Sequence, residues 1–309
     1  MRALLAEYLG LALVLAVLIA IFGLTTRNFF APVTFRTIAN QIPVAILLAV
    51  GMTLVLSTGG IDLSVGSVLA LSGSVFGLLL VKYQAPWPVA LAACLATGLA
   101  CGAINGLVMI RWGLPSFIVT LGMLEMARGA AYLVTDSRTM YIGGNLGNLS
   151  QIAVAGVSLG FILAVVLALA AQVVLWRTIF GRYLIAIGTN EEVVRLSGID
   201  PRPIKLAVFM LSGLLAALAA VIHCARLSSA DPNAGAGFEL QAIAAAVIGG
   251  TSLMGGRASV VNSLFGVLIM AVLETGLVQL QAGEPTKRLI TGAVIVGAVI
   301  LDRYRQRGQ

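Results

Sequence analysis

Apolar runs long enough to cross a bilayer recur along the whole chain, separated by short polar or Gly/Pro-rich breaks. They fall at about 4–24, 38–58, 64–81, 88–110, 114–134, 152–175, 205–225, 240–255, 259–281 and 289–301. A helix rises 1.5 Å per residue and needs about 20 residues to cross a hydrocarbon layer of roughly 30 Å. The eighth and tenth runs fall short of that and are expected as tilted spans, half-helices or parts of broken spans. The pattern predicts an all-α, polytopic transmembrane helical bundle of about ten spans (8–10), built as one domain over residues 1–309.

One stretch interrupts the apolar pattern. Residues 176–204 form a polar loop containing "TNEEVVRLSG", which has the start and stop signals of a short helix. Thr189 is placed to cap its N-terminus and Glu192 to reach back, as in a capping box. Glu191 and Glu192 sit at the positive end of the helix dipole. Val193, Val194 and Leu196 supply an apolar contact, Gly198 is placed to close the C-terminus, and Pro201 and Pro203 stop continuation into the next span. A helix of about eight residues is unstable alone in water. It needs a docking surface, either on its own membrane domain or on a cytoplasmic partner.

Composition narrows the class. The chain is 60% hydrophobic and 10% charged, with 35 glycines and a mean hydropathy of +1.04. The net charge of +7 comes from scattered residues and implies no nucleic acid. With the N-terminus inside, Arg2, Arg111, Arg177, Arg182, Arg195, Arg202, Lys205, Arg257, Arg303, Arg305 and Arg307 fall on the inner side. Arg27, Arg36, Lys82, Arg138, Arg226, Lys287 and Arg288 fall on the outer side, giving 11 against 7. That bias predicts both termini, residues 176–204 and residues 302–309 in the cytoplasm, and residues 135–151 outside. The run from Tyr8 to Leu24 is followed by "TTRNFF" rather than a cleavage site, so it is expected as an uncleaved first span.

Missing chemistry excludes several functions. No Gly precedes Lys82, Lys205 or Lys287, so the chain has no phosphate-binding P-loop. His223 is the single histidine and is expected to snorkel or to bond between helices. Cys94, Cys101 and Cys224 lie inside apolar runs and read as small buried hydrophobes. Neither a metal site nor a catalytic constellation is expected. Charges within spans are costly unless paired or wet. Glu125 and Arg128, three apart in "GMLEMARGA", share a helix face and are expected to pair. Asp62 in "GGIDLSVG" is expected either to cap the next helix or to mark an unwound segment at membrane depth. Asp62, Ser64, Asn105, Glu125, Arg128, Asn262 and Glu274 are the candidates for a polar solute path, although interhelical hydrogen bonding explains Asn105, Asn262 and Glu274 equally well. "GGIDLSVG" (59–66) and "GGTSLMGG" (249–256) share the pattern GG-x-x-L-x-x-G. If they are a repeat, they point to the translocation path.

"GRYLIAIGTNEEVVRLSGI", "GMTLVLSTGGIDLSVGSVLALSG" (51–73) and "ARLSSADPNAGAGFELQAIAAAVIGGTSLMGG" (225–256) resemble carbohydrate-uptake ABC permeases of the ribose/arabinose type. The resemblance runs through most of the chain. It implies a bacterial inner-membrane subunit working as a pair, either two copies or two related chains. A periplasmic binding protein would deliver a monosaccharide, and a separate ATPase would use the ATP and Mg. It implies no cofactor on this chain. It also places the ATPase contact on Gly181, Arg182, Thr189, Asn190, Glu191, Glu192, Val193, Arg195, Leu196, Ser197 and Gly198. It leaves ribose, arabinose, rhamnose and other sugars open. A secondary carrier or channel would need ion-coupling carboxylates in its spans, and an intramembrane enzyme would need a catalytic constellation.

Overall fold

The computed structural model describes residues 2–143, 153–154 and 157–307. Residues 144–152 and 155–156, which take in part of the expected outer loop 135–151, lie outside the described residues, as do Met1 and residues 308–309. Eleven helices are described: α1 Arg2–Thr25, α2 Pro32–Ser57, α3 Val65–Val81, α4 Trp87–Trp112, α5 Ser116–Val134, α6 Leu159–Arg177, α7 Ile179–Leu196, α8 Arg202–Leu227, α9 Phe238–Ile248, α10 Val260–Gln279 and α11 Glu284–Arg307. Four two-residue strands accompany them: β1 Met140–Tyr141, β2 Ala153–Val154, β3 Val157–Ser158 and β4 Ser229–Ala230. Seven helices (α1 from Tyr8, α2, α4, α5, α6, α8 and α10) are long and apolar enough to cross a membrane, while α3 and α9 are apolar but shorter.

Helix α2 is the axis of the bundle. Every residue from 46 to 58 is buried, so this stretch is apolar all round rather than along one stripe. The most extensive helix pair is α4 with α8. Gly98, Gly102 and Gly106 recur every fourth residue on α4, with no room for a Cβ against Gly213, the Phe209–Met210 backbone and Leu206 of α8. In a bilayer, where helices gain nothing by hiding apolar surface from each other, such a stripe lets two backbones approach and gain dispersion contact.

Two ends of the bundle are defined by contacts. At one end β1 pairs antiparallel with β4, setting Met140 opposite Ala230 and Tyr141 opposite Ser229. There too Gln279 bonds Thr26 and Thr34 at 3.0 Å each, and Ser158 N–H donates to Asn40 Oδ1 at 3.2 Å. At the other end the termini of α2, α7 and the 249–257 loop converge. Gly256 N–H donates to the Ser57 carbonyl at 3.1 Å. Ser137 belongs to the first end and Ser197 to the second.

The expected segments match helices with two informative differences. The 152–175 run starts its helix only at Leu159, because β2 and β3 pair ahead of it. The 240–255 run ends its helix at Ile248, because the chain turns at Gly249–Gly250, where Gly250 has φ +83°. The short α9 has a structural reason. Beyond α8 the chain does not stay at the strand end. Ala230 packs where Gly77 of α3 lacks a side chain, and Gly235 packs where Gly66 does. Those α3 positions are eleven residues apart, so the 230–235 segment descends about 16 Å into the bundle before α9 begins. Eleven helical residues then suffice to reach the opposite end.

Candidate functional site

The break between α2 and α3 is the first polar centre. Residues 58–64 remain inside the bundle after α2 ends, so their backbone groups need partners among the helices. Side chains of α5 supply them: Ile61 N–H donates to Ser116 Oγ at 2.9 Å, Leu63 N–H to Thr120 Oγ1 at 3.1 Å, and Thr120 Oγ1–H to the Ile61 carbonyl at 3.1 Å. Asp62 is 2% exposed. Its Oδ1 accepts from Ser64 N–H at 3.0 Å and Ser64 Oγ at 2.6 Å, and its Oδ2 accepts from Ser212 Oγ of α8 at 2.8 Å. Asn105 of α4 donates to Ser64 Oγ at 3.0 Å. Asp62 is therefore not the cap of α3. Ser64 holds that position, and the Asp62 carboxylate closes a turn two residues long and ties the turn to α8.

Asn262 and the other break, 249–259, form a second buried centre. Thr53 Oγ1 and Ser263 Oγ share a hydrogen bond of 2.8 Å, and Gln172 Oε1 accepts from Val261 N–H at 2.9 Å at the start of α10. Asn262 is buried, and its backbone lies where Gly249 has no room for a Cβ.

The descending 228–237 segment is held differently. Arg128 of α5 donates from one terminal nitrogen to the carbonyls of Pro232 at 2.6 Å and Ala234 at 2.7 Å. Tyr132, one turn on, donates to Asn233 Oδ1 at 2.7 Å. The segment also serves itself: Asp231 Oδ1 accepts from Asn233 N–H and Nδ2–H, and Glu239 Oε1 accepts from Gly237 N–H. The expected Glu125–Arg128 pair does not form. Arg128 turns toward the bundle, where irregular backbone needs donors, while Glu125 lies on the exposed face. Glu274 is likewise exposed, on α10, and its charge acts on Arg226. His223 is buried, packs edge-on against Phe238 with ring centroids 6.0 Å apart, and leaves Nδ1 without a hydrogen-bond partner among the described residues. Cys94, Cys101 and Cys224 are buried free thiols.

The polar loop contains the third feature, a kinked helix. The backbone of Asn190 is extended (φ −162°, ψ 100°), which divides α7 into a helix up to Thr189 and a final six residues, Glu191–Leu196. The cap of that last piece is Asn190, whose Oδ1 accepts from Val193 N–H at 3.1 Å; Thr189 instead donates its hydroxyl to the Ile185 carbonyl of the preceding helix at 2.8 Å. The expected capping box is therefore absent. Glu192 pairs with Arg195 at 2.7 Å, and its hydrogen bond and charge push the Arg195 guanidinium above its ordinary range. Glu191 pairs with Lys205 of α8. The C-terminus closes as expected. Gly198 has φ +82°, its N–H donates to the Arg195 carbonyl at 3.0 Å, and Ile199 N–H reaches the Val194 carbonyl at 3.3 Å, a Schellman arrangement. Val194 faces inward (6% exposed), whereas Val193 and Leu196 are 55% and 78% exposed. At the start of α7, Gly181 is buried with its N–H on Thr178 Oγ1, and Arg182 is exposed.

The kink is wedged against both glycine motifs. Gly188 has no room for a Cβ against the Ser57 carbonyl and Gly256, and Gly255 has none against Gly188 and Gly59. A cleft of about 770 Å³ opens beside the terminal helix, lined by Gly59, Gly60, Ser116, Phe209 and the charged Glu191, Arg195, Asp200, Arg202 and Lys205. Several residues here are not singled out by sequence reasoning: Ser116, Thr120, Ser212, Tyr132, Asn233 and Gly188. Hydroxyls inside apolar runs were the available signal for the first three.

The family profile described as "Branched-chain amino acid transport system / permease component" matches residues 34–299, and the chain belongs to that permease family. It is 41% identical to the ribose import permease protein RbsC of Escherichia coli (strain K12) over 306 residues, covering 94% of this chain and 92% of the relative. It is 39% identical to RbsC of Bacillus subtilis (strain 168), covering 97% and 94%, and 34% identical to the fructose import permease protein FrcC of Rhizobium meliloti, covering 90% and 79%. No solved structure matches the chain.

Proposed function

We propose that the chain is the membrane-spanning permease subunit of a monosaccharide-importing ABC transporter in a bacterial inner membrane. The observation that carries this reading is identity of 33–41% over nine-tenths or more of the chain to permeases named for ribose, allose, fructose and arabinose import. The family profile is described by amino-acid transport, whereas these relatives are named for sugars, and the sugar reading follows the relatives. A periplasmic binding protein delivers the sugar, a separate ATPase supplies the energy, and two permease subunits pair around the route. The ladder end faces the periplasm and the α7 end the cytoplasm. Both termini are cytoplasmic, and ten elements cross, with α3 and α9 as the short ones.

The terminal helix 191–196 is the ATPase contact. Support comes from its chemistry: Val194 anchors it to the bundle while Val193 and Leu196 stay exposed, and a helix this short holds its fold only when packed. The charged cleft beside it receives the ATPase surface. The solute route follows the exposed face of α5 past Glu125 and Arg128. Asp62, Ser64 and Asn105 hold the unwound 58–64 segment beside the route, Asn262 packs against the turn at Gly249, and Glu274 is a further polar candidate on α10.

The test is reconstitution of the chain with the ATPase and binding protein encoded beside it. Uptake of the sugar retained by that binding protein should depend on ATP. Leu196→Asp should leave the permease inserted and folded but abolish ATPase co-purification or its response to loaded binding protein. Wild-type assembly and uptake in that variant would reject the coupling assignment.

A further inference from the structure

The outward face of α5 carries polar and glycine positions among exposed apolar side chains such as Ile118, Leu121 and Met126. Gly122, Glu125, Gly129 and Tyr132 stand at i, i+3, i+7 and i+10, which places them on one side of the helix. Glu125 is exposed within a span and makes no hydrogen bond or ion pair among the described residues. An ionised carboxylate in that position costs several kcal/mol against hydrocarbon, so this face meets water or a polar ligand. Gly122 and Gly129 have open space where a side chain would stand. Arg128, at the edge of this face, uses one terminal nitrogen on the Pro232 and Ala234 carbonyls, and its Nε and second terminal nitrogen have no acceptor among the described residues. Tyr132 and Asn233 close one end of the floor through their 2.7 Å hydrogen bond.

We propose that this face is a transient binding subsite for a neutral monosaccharide. It rests on the sugar-import reading above. The sugar ring lies across the glycine floor at Gly122 and Gly129. Glu125 accepts from two neighbouring hydroxyls, which suits a carboxylate with two acceptor oxygens. The free edge of the Arg128 guanidinium donates to a third sugar oxygen, while its other edge keeps the 228–237 segment in place. Occupancy of the subsite is thereby linked to the position of that segment. Exposed Ile118, Leu121 and Met126 border this floor, so it is the polar pair of Glu125 and Arg128 that favours a polyhydroxylated ring over an apolar amino acid.

The experiment uses the complete transporter in proteoliposomes, with Gly129→Cys in one preparation and Gly129→Leu and Glu125→Gln in others. The native thiols are buried and serve as the silent background. Gly129→Cys should react with a hydrophilic maleimide, and saturating D-ribose should slow that reaction. Gly129→Leu should lower sugar uptake about tenfold and Glu125→Gln by a smaller factor, while the amount of ATPase that co-purifies stays at the wild-type level. An introduced thiol that is inert, or that reacts equally fast with and without D-ribose, L-arabinose, D-allose and D-fructose, overturns the subsite. So does wild-type uptake in both other variants. Protection by L-leucine instead of any sugar replaces the proposed ligand with an amino acid. Failure of the underlying reading has a separate signature: the unmutated transporter then takes up none of these sugars.

Discussion

Two stretches of irregular backbone run inside this bundle, and they are stabilised by opposite means. The 58–64 segment lies largely buried among α4, α5 and α8, with Gly59 exposed at the cleft. Two hydroxyls of α5 and the segment's own buried carboxylate satisfy its amides, and the Ser64 and Asp62 side chains are tied in turn to Asn105 of α4 and Ser212 of α8. The 228–237 segment is half exposed and depends mainly on one guanidinium and its own side chains. Inside a membrane every backbone group needs an internal partner. The first solution distributes that requirement and joins helices. The second leans chiefly on Arg128, beside the Tyr132–Asn233 bond and the packing of Ala230 and Gly235 on α3. We expect the first to act as the more rigid anchor and the second to be the more easily displaced.

The sharpest way to break this contrast is at Asp62. Asp62→Ala leaves Ser64 N–H and the Ser212 hydroxyl buried without an acceptor, at about 1–3 kcal/mol each. The expected outcome is a large loss of monodisperse protein in detergent and a lowered midpoint of thermal unfolding. Asp62→Ala combined with Ser212→Ala should recover part of the loss. If Asp62→Ala unfolds no earlier than wild type, the 58–64 segment is not an anchor.

Arg128→Ala should do less to global stability and more to local order. Hydrogen exchange is expected to rise in residues 228–237 and to stay unchanged in 58–64. Arg128→Lys should restore part of the protection, since an ammonium supplies donors without the planar fork. Equal exchange in both segments would remove the distinction drawn between them.

The smallest effect concerns the cap of the terminal helix. Asn190→Ala should cost about 1 kcal/mol of local stability, read as faster exchange at Glu192, Val193 and Val194. Thr189→Ala, whose hydroxyl serves the preceding helix, should leave those amides nearly unchanged. The reverse order would restore Thr189 as the cap.

The helices were legible because apolar run length decides them almost alone. The pattern carries the eighth run to residue 255, past the end of α9 at Ile248, and the cause of the short helix is not local, since the descent of 228–237 leans on Arg128, which lies 104 residues earlier in sequence than the Pro232 carbonyl it holds. Spacing of three suggested a shared face and a pair for Glu125 and Arg128, which the structure does not form. It could not say that one side chain would turn to the bundle and the other away, because that choice belongs to backbone carbonyls elsewhere in the chain. Thr189 and Asn190 are both good caps by residue type. The kink decides between them by leaving Thr189 inside the preceding helix. Asp62 stands out in an apolar run, whereas Ser212 does not, since a serine in an apolar helix has an ordinary local explanation.

Gly188, Gly255 and Gly59 bring three stretches of main chain together with no side chain between them. Side chains in a protein interior act as shims, since a methyl or an isobutyl group can change rotamer and take up part of an imposed movement. This joint has no shims. A shift of the helix before the kink is expected to pass to the foot of α2 and to the loop ahead of α10 with little of it taken up by side chains, as in a gear cut without backlash.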